Sequence, residues 1–128
     1  MSQDNDDART FIAGLVARSR AAQKQIEHYS QEQVDALIRA MVWSVARPGM
    51  AEEIAQFTVD ETQLGNYDGK FLKIQRKTRA TLLDIIHDKS VGIIEEYPER
   101  NIRVIAKPLG VIGALAPSTN PEATPVIK

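Results

Sequence analysis

With 128 residues and 43% hydrophobic content, the chain has the length of one ordinary domain and enough apolar side chains for a packed core. Its 16 Lys and Arg nearly balance 17 Asp and Glu, which excludes a basic surface for nucleic acid or a polybasic membrane anchor and favours small-molecule chemistry or a protein partner. It has no cysteine, so disulfides, thiolate metal sites and cysteine nucleophiles are excluded within these residues.

In chain order, the first helix is predicted from about Asp7 to Ile26. Ile12, Leu15, Val16, Ser19, Ala22 and Ile26 share one face, and Asp4, Asp6 and Asp7 lie near its positive end. The second follows Ser30 as cap with Gln33 three residues on, and carries Val34, Leu37, Ile38, Met41, Val42 and Val45 at helical spacing up to Pro48-Gly49. Met41 and Trp43 are expected in a core or an interface. A third helix starts near Met50, with Ile54, Phe57 and Leu64 inward, and is broken at Gly65-Asn66. The fourth is predicted from Tyr67 to Ile86, with Tyr67, Phe71, Ile74, Thr78, Leu82 and Ile85 inward. The basic group Lys70, Lys73, Arg76, Lys77 and Arg79 then reads as a solvated face rather than a phosphate-binding patch.

After Asp88 the sequence turns β-branched. Val91 to Glu96 and Asn101 to Ala106, separated by Tyr97-Pro98-Glu99-Arg100, read as a hairpin. Val111 to Ala116 has no polar residue, the pattern of a strand covered on both faces in a parallel sheet. Pro117-Ser118-Thr119-Asn120-Pro121-Glu122 follows directly, and a proline at a first helical position after an Asn or Thr cap predicts a strand-to-helix turn. Such turns at strand carboxyl ends are where open α/β sheets bind ligands. On the residues alone, Asn120 reads equally as a functional amide or as a cap or turn residue. His28 and His87 are expected to stand isolated on different helices, so no metal site is predicted. The acidic N-terminus and the lack of any bilayer-length apolar run lead us to expect a cytoplasmic protein without a membrane or nucleic-acid partner.

The run from Lys107 to Pro125, KPLGVIGALAPSTNPEATP, resembles the stretch where aldehyde dehydrogenases enter their nucleotide-binding domain. Ordinary members have an aromatic turn there. Thr119-Asn120-Pro121 is similar to the acylating, coenzyme A-dependent members, and the helical lead-in and hairpin resemble that family's N-terminal layout. The resemblance implies an α/β fold truncated after its start: an N-terminal helical part over residues 1–90, an oligomerisation-type hairpin over 91–107, and the first strand of a nucleotide-binding domain within 108–128. It implies NAD or NADP as cofactor, coenzyme A as co-substrate, a small aldehyde as substrate and a homo-oligomeric parent. By the same resemblance Asn120 is the catalytic oxyanion donor, while Pro117, Ser118 and Thr119 bind the nicotinamide nucleotide. The nucleophilic cysteine of such enzymes would lie downstream, so these 128 residues alone are expected to be inactive. Two alternatives stand beside this: a stand-alone helical interaction module whose hairpin pairs with a partner sheet, and a fragment of an ordinary hydrolytic aldehyde dehydrogenase.

Overall fold

A computed structural model describes residues 3–128. Met1 and Ser2, where the predicted helical part begins, lie outside the described residues, as does the side chain of Asp4 from the acidic run. The element order is α1 (Gln3–Ile26), α2 (Gln31–Ala46), α3 (Met50–Thr62), α4 (Tyr67–Lys73), a π-helical turn (Ile74–Thr78), α5 (Arg79–Ile85), β1 (Gly92–Tyr97), a 3-10 turn (Pro98–Arg100), β2 (Ile102–Ala106) and α6 (Thr124–Ile127). The chain divides into two units, one made of α1 with Ser90–Gly113 and one made of Gln31–Lys89 with Ala114–Lys128.

In the second unit α2 begins directly after Ser30 and ends at Arg47-Pro48-Gly49, as proline and glycine dictate. Gly49 sits at φ 83, a left-handed conformation that suits glycine, and its N–H donates to the Glu52 carboxylate at 2.8 Å, fixing the start of α3. Ala51, Ala55 and Thr58 recur at helical spacing and are buried. Their small side chains let Ile74 of the following helix pack fully buried against Ala51 and Ala55, with Ile54 and Phe71 at the margin. Asn66 caps α4, its Oδ1 accepting from the Gly69 N–H at 2.8 Å.

The predicted fourth helix is therefore real but interrupted. Ile74–Thr78 widens into a π turn, with Thr78 and Ile74 both fully buried and the Thr78 hydroxyl donating to the Ile74 carbonyl. The α2 terminus is held by this same helix. Gln75 Nε2 and Arg79 Nη2 donate to the Ala46 carbonyl at 2.9 and 3.4 Å, placing donors and a positive charge at the negative end of α2.

Several inward assignments fail for one reason: a small core cannot cover every apolar residue at helical spacing. Phe57 is exposed, Leu64 lies past the end of α3 and is also exposed, and the exposure of Met41 and Trp43 leaves only the interface half of their reading standing. Val111 to Ala116 forms no strand. A strand is defined by the ladder it shares, and among the described residues no other segment pairs with it, so Ile112 and Leu115 stand exposed. The expected helix start at Pro121 is also displaced: α6 begins at Thr124 behind Ala123, with Pro125 in its first turn.

In the other unit α1 begins four residues earlier than predicted, at Gln3 rather than Asp7, and ends at Ile26 as expected. Phe11 and Ile12 on it are exposed. The hairpin forms as read from the sequence. β1 and β2 pair antiparallel, from Gly92 opposite Ala106 to Tyr97 opposite Ile102, with a bulge between Ile93 and Glu95. Pro98–Arg100 makes the turn and Asn101 closes it in the left-handed region at φ 50, which asparagine tolerates. Arg103 Nε and Glu96 Oε1 face each other across the strands at 2.8 Å.

Candidate functional site

Pro117 to Asn120 forms a turn closed by the Asn120 N–H donating to the Pro117 carbonyl at 3.2 Å. The next step is helical: both the backbone N–H and the hydroxyl of Thr124 donate to the Asn120 carbonyl, at 3.3 and 2.8 Å. Asn120 is thus a turn residue four positions before the start of α6, with its side chain left over for other contacts.

Those contacts come from α4. Lys73 Nζ donates to Asn120 Oδ1 at 2.6 Å, and Lys70 Nζ donates to the Thr119 carbonyl at 2.7 Å. Lys70 and Lys73 are three residues apart, so one helical face offers two ammonium groups to two consecutive residues of the turn. Lys70 is buried together with the side chain of Glu122, whose Oε2 lies 3.6 Å from Nζ, and neither Glu122 oxygen has a hydrogen-bond donor among the described residues. Ammonium and carboxylate offset each other's charge there, while the stronger directional bond of Lys70 goes to Thr119.

A cleft of about 300 Å³ opens beside this junction, lined by Leu64, Gly65, Asn66, Gly69, Lys70, Lys73 and Thr119. Gly65 is at φ +79, a left-handed conformation that glycine permits without strain. Lys73 and Asn120 are half-buried, whereas Pro117, Ser118 and Thr119 are exposed.

The structure therefore joins Thr119 and Asn120 to Lys70 and Lys73 and leaves Pro117 and Ser118 on the open side of the turn. The reading of the basic group as a wholly solvated face is corrected. Arg76, Lys77 and Arg79 are exposed, but Lys70 and Lys73 turn inward. The signal was present in the spacing: Lys70 precedes Ile74 by four and Thr78 by eight, on the buried side of its helix. Glu122 carried no comparable signal, because its burial depends on a turn contacting a helix some fifty residues earlier in sequence. The histidines lie not on helices but in the turns that follow α1 and α5. Among the described residues no three His, Asp or Glu side chains gather as metal ligands, and no helix is long and apolar enough to cross a membrane.

Comparison with known proteins gives a consistent family. The chain is 41% identical over 115 residues to a sulfoacetaldehyde dehydrogenase of Acholeplasma sp, covering 90% of this chain and 24% of that protein. It is 39% identical over 121 residues to an acylating sulfoacetaldehyde dehydrogenase of Cupriavidus necator, covering 94% of this chain and 24% of the relative. To an acetylating succinate-semialdehyde dehydrogenase of Clostridium kluyveri it is 44% identical over 115 residues, covering 90% and 25%. No protein-family model matches the chain. The chain spans about a quarter of the length of these curated relatives.

Proposed function

Proceeding from the homology of this chain to the acylating aldehyde dehydrogenases, we propose that it forms the N-terminal part of an enzyme that oxidises a small aldehyde to an acyl-coenzyme A, with NAD or NADP as oxidant. The observation that carries the reading is the disposition of the Asn120 amide. Its oxygen is engaged by Lys73, and its Nδ2 has only a 3.3 Å contact to Thr119 Oγ1, leaving one N–H without a partner among the described residues. A neutral donor held in that way suits the negative charge that develops on an aldehyde oxygen when a thiolate attacks the carbonyl. The thiolate is not among these 128 residues, which contain no cysteine.

When bound, the nicotinamide nucleotide supplies the hydride acceptor and coenzyme A the acyl acceptor. The residues of this chain fit the nucleotide in one respect. Ser118 and Thr119 are exposed on the turn, and their backbone N–H groups make no hydrogen bond among the described residues, so they are free to donate to it. Lys70 holds the Thr119 carbonyl and so keeps the turn from rotating. In this reading residues 1–90 are the helical part, 91–107 an oligomerisation hairpin and 108–128 the entry to the nucleotide-binding domain, whose first strand forms once neighbouring strands are supplied. The substrate proposed is a short aldehyde with an anionic group at its far end, supported by the sulfonate and carboxylate in the names of the relatives. Those names also favour the acylating reaction over simple hydrolysis, and an enzyme over an interaction module.

The test is chemical. The purified 128-residue chain is expected to reduce no nucleotide with any aldehyde, whereas the same residues joined to a cysteine-bearing remainder should give aldehyde-dependent nucleotide reduction and an acyl-coenzyme A product. Aldehyde oxidation by the cysteine-free chain, or a joined enzyme that releases only free acid, would overturn the reading.

A further inference from the structure

We infer that Lys73 is a positioning residue for Asn120: its ammonium group fixes which end of the side-chain amide faces outward. The inference rests on the proposed role of Asn120 as an oxyanion donor and adds a residue that the motif itself does not contain.

An asparagine amide is nearly symmetric in shape, so half a turn about its last torsion exchanges oxygen and nitrogen. The two orientations have opposite consequences in this site. One presents N–H to a substrate oxygen, and the other presents a lone pair that repels developing negative charge. An ammonium group breaks the symmetry because it has three donors and no acceptor, so it accepts only the Oδ1 end as neighbour. The bond is short at 2.6 Å and charge-assisted, which makes it stronger than a neutral hydrogen bond. On the other side Thr119 Oγ1 lies 3.3 Å from Nδ2, but a hydroxyl can donate as well as accept and so tolerates either end of the amide. The orientation is therefore selected by Lys73 alone.

Lys73 is suited to this by its charge balance. Among the described residues it has no carboxylate partner, whereas Lys70, one turn earlier, shares its burial with Glu122. The charge of Lys73 is thus felt by the amide rather than cancelled beside it. A cation on Oδ1 also polarises the amide and makes Nδ2–H a better donor, by the cooperativity that links hydrogen bonds in series. Lys70 holds the backbone of the turn and Lys73 orients the side chain that projects from it.

The experiment has two arms. In the 128-residue chain, the side-chain 15N order parameter of Asn120 should lie in the rigid range, roughly 0.8 or above, and fall below about 0.6 in Lys73→Met. Lys73→Arg, which keeps cationic donors, should restore it. A backbone amide spectrum unchanged outside the turn shows that Lys73→Met is folded, and if that variant fails to fold, the arginine variant paired with Lys73→Gln decides the same question. In the full-length enzyme that the proposed function requires, Lys73→Met should lower kcat about tenfold with KM for the nucleotide unchanged, and Lys73→Arg should recover most of the rate. An unchanged order parameter in Lys73→Met would overturn the inference. So would an unchanged kcat in Lys73→Met where Asn120→Ala is slow. If Asn120→Ala itself keeps its rate, the proposed function fails instead, and the order parameter still decides whether Lys73 orients the amide.

Discussion

Lys70 and Glu122 are buried together, with side chains 4% and 0% exposed, and neither can be removed alone without leaving the other charge in the interior. Lys70→Met should therefore destabilise the helical unit by about 3–5 kcal/mol, the cost of breaking a buried pair from one side. The double variant Lys70→Met/Glu122→Leu should recover much of that loss, since it removes both charges while filling the volume. Thermal unfolding followed by circular dichroism checks the order of the two, and equal melting temperatures for the single variant and the parent would show that the pair contributes nothing. The residue scale is also where the sequence was least legible. Asn120 could be singled out from its motif, and Lys70 could have been placed inward from its spacing to Ile74 and Thr78. The pairing of Lys73 with Asn120 could not, because it joins residues 47 apart in sequence.

Among the elements, the two ends of the chain's alphabet of patterns behaved differently. The helices were legible because caps and breakers mark them: Pro48-Gly49 ends α2, and Asn66 caps α4. The hairpin was legible because its pairing is local and Pro98 stands where a tight reversal needs it, whereas Asn101, read as the first residue of the second strand, closes the turn instead. The segment Val111 to Ala116 forms no strand here because its pattern reports the environment it is suited to, while a ladder needs a partner that the described residues lack. The π turn had no sequence signature at all. Within the hairpin, the Tyr97 hydroxyl donates to the Glu95 carboxylate, and that bond, together with the nearby negative charge and a small loss of hydration, raises the Tyr97 pKa above the ordinary phenol value of 10.0. Because the folded value is the higher one, the bond's contribution is complete below the ordinary phenol range and is lost as pH rises through the folded value. Phenolate absorbance should show Tyr97 ionising at higher pH than in Glu95→Gln; coincident titrations in the two proteins would contradict the bond.

At the level of the whole molecule, exposed apolar side chains from Phe11 and Trp43 to Ile112 and Leu115 exceed what scattered surface residues require. The chain matches its relatives over nine-tenths of its own length but about a quarter of theirs, so these faces are consistent with surfaces that a larger protein would cover. The proposed oxyanion role of the Asn120 amide is tested most directly by the kcat of Asn120→Asp in the full-length enzyme. Aspartate keeps an oxygen for Lys73 and leaves the backbone bonds of the turn in place, so the protein should fold, but it offers no N–H and places a negative charge against the developing oxyanion. An oxyanion-donating Asn120 predicts a fall in kcat on the order of a hundredfold or more, with nucleotide affinity nearly intact. A stable Asn120→Asp enzyme with near-parental kcat would contradict it and return Asn120 to the role of a turn residue.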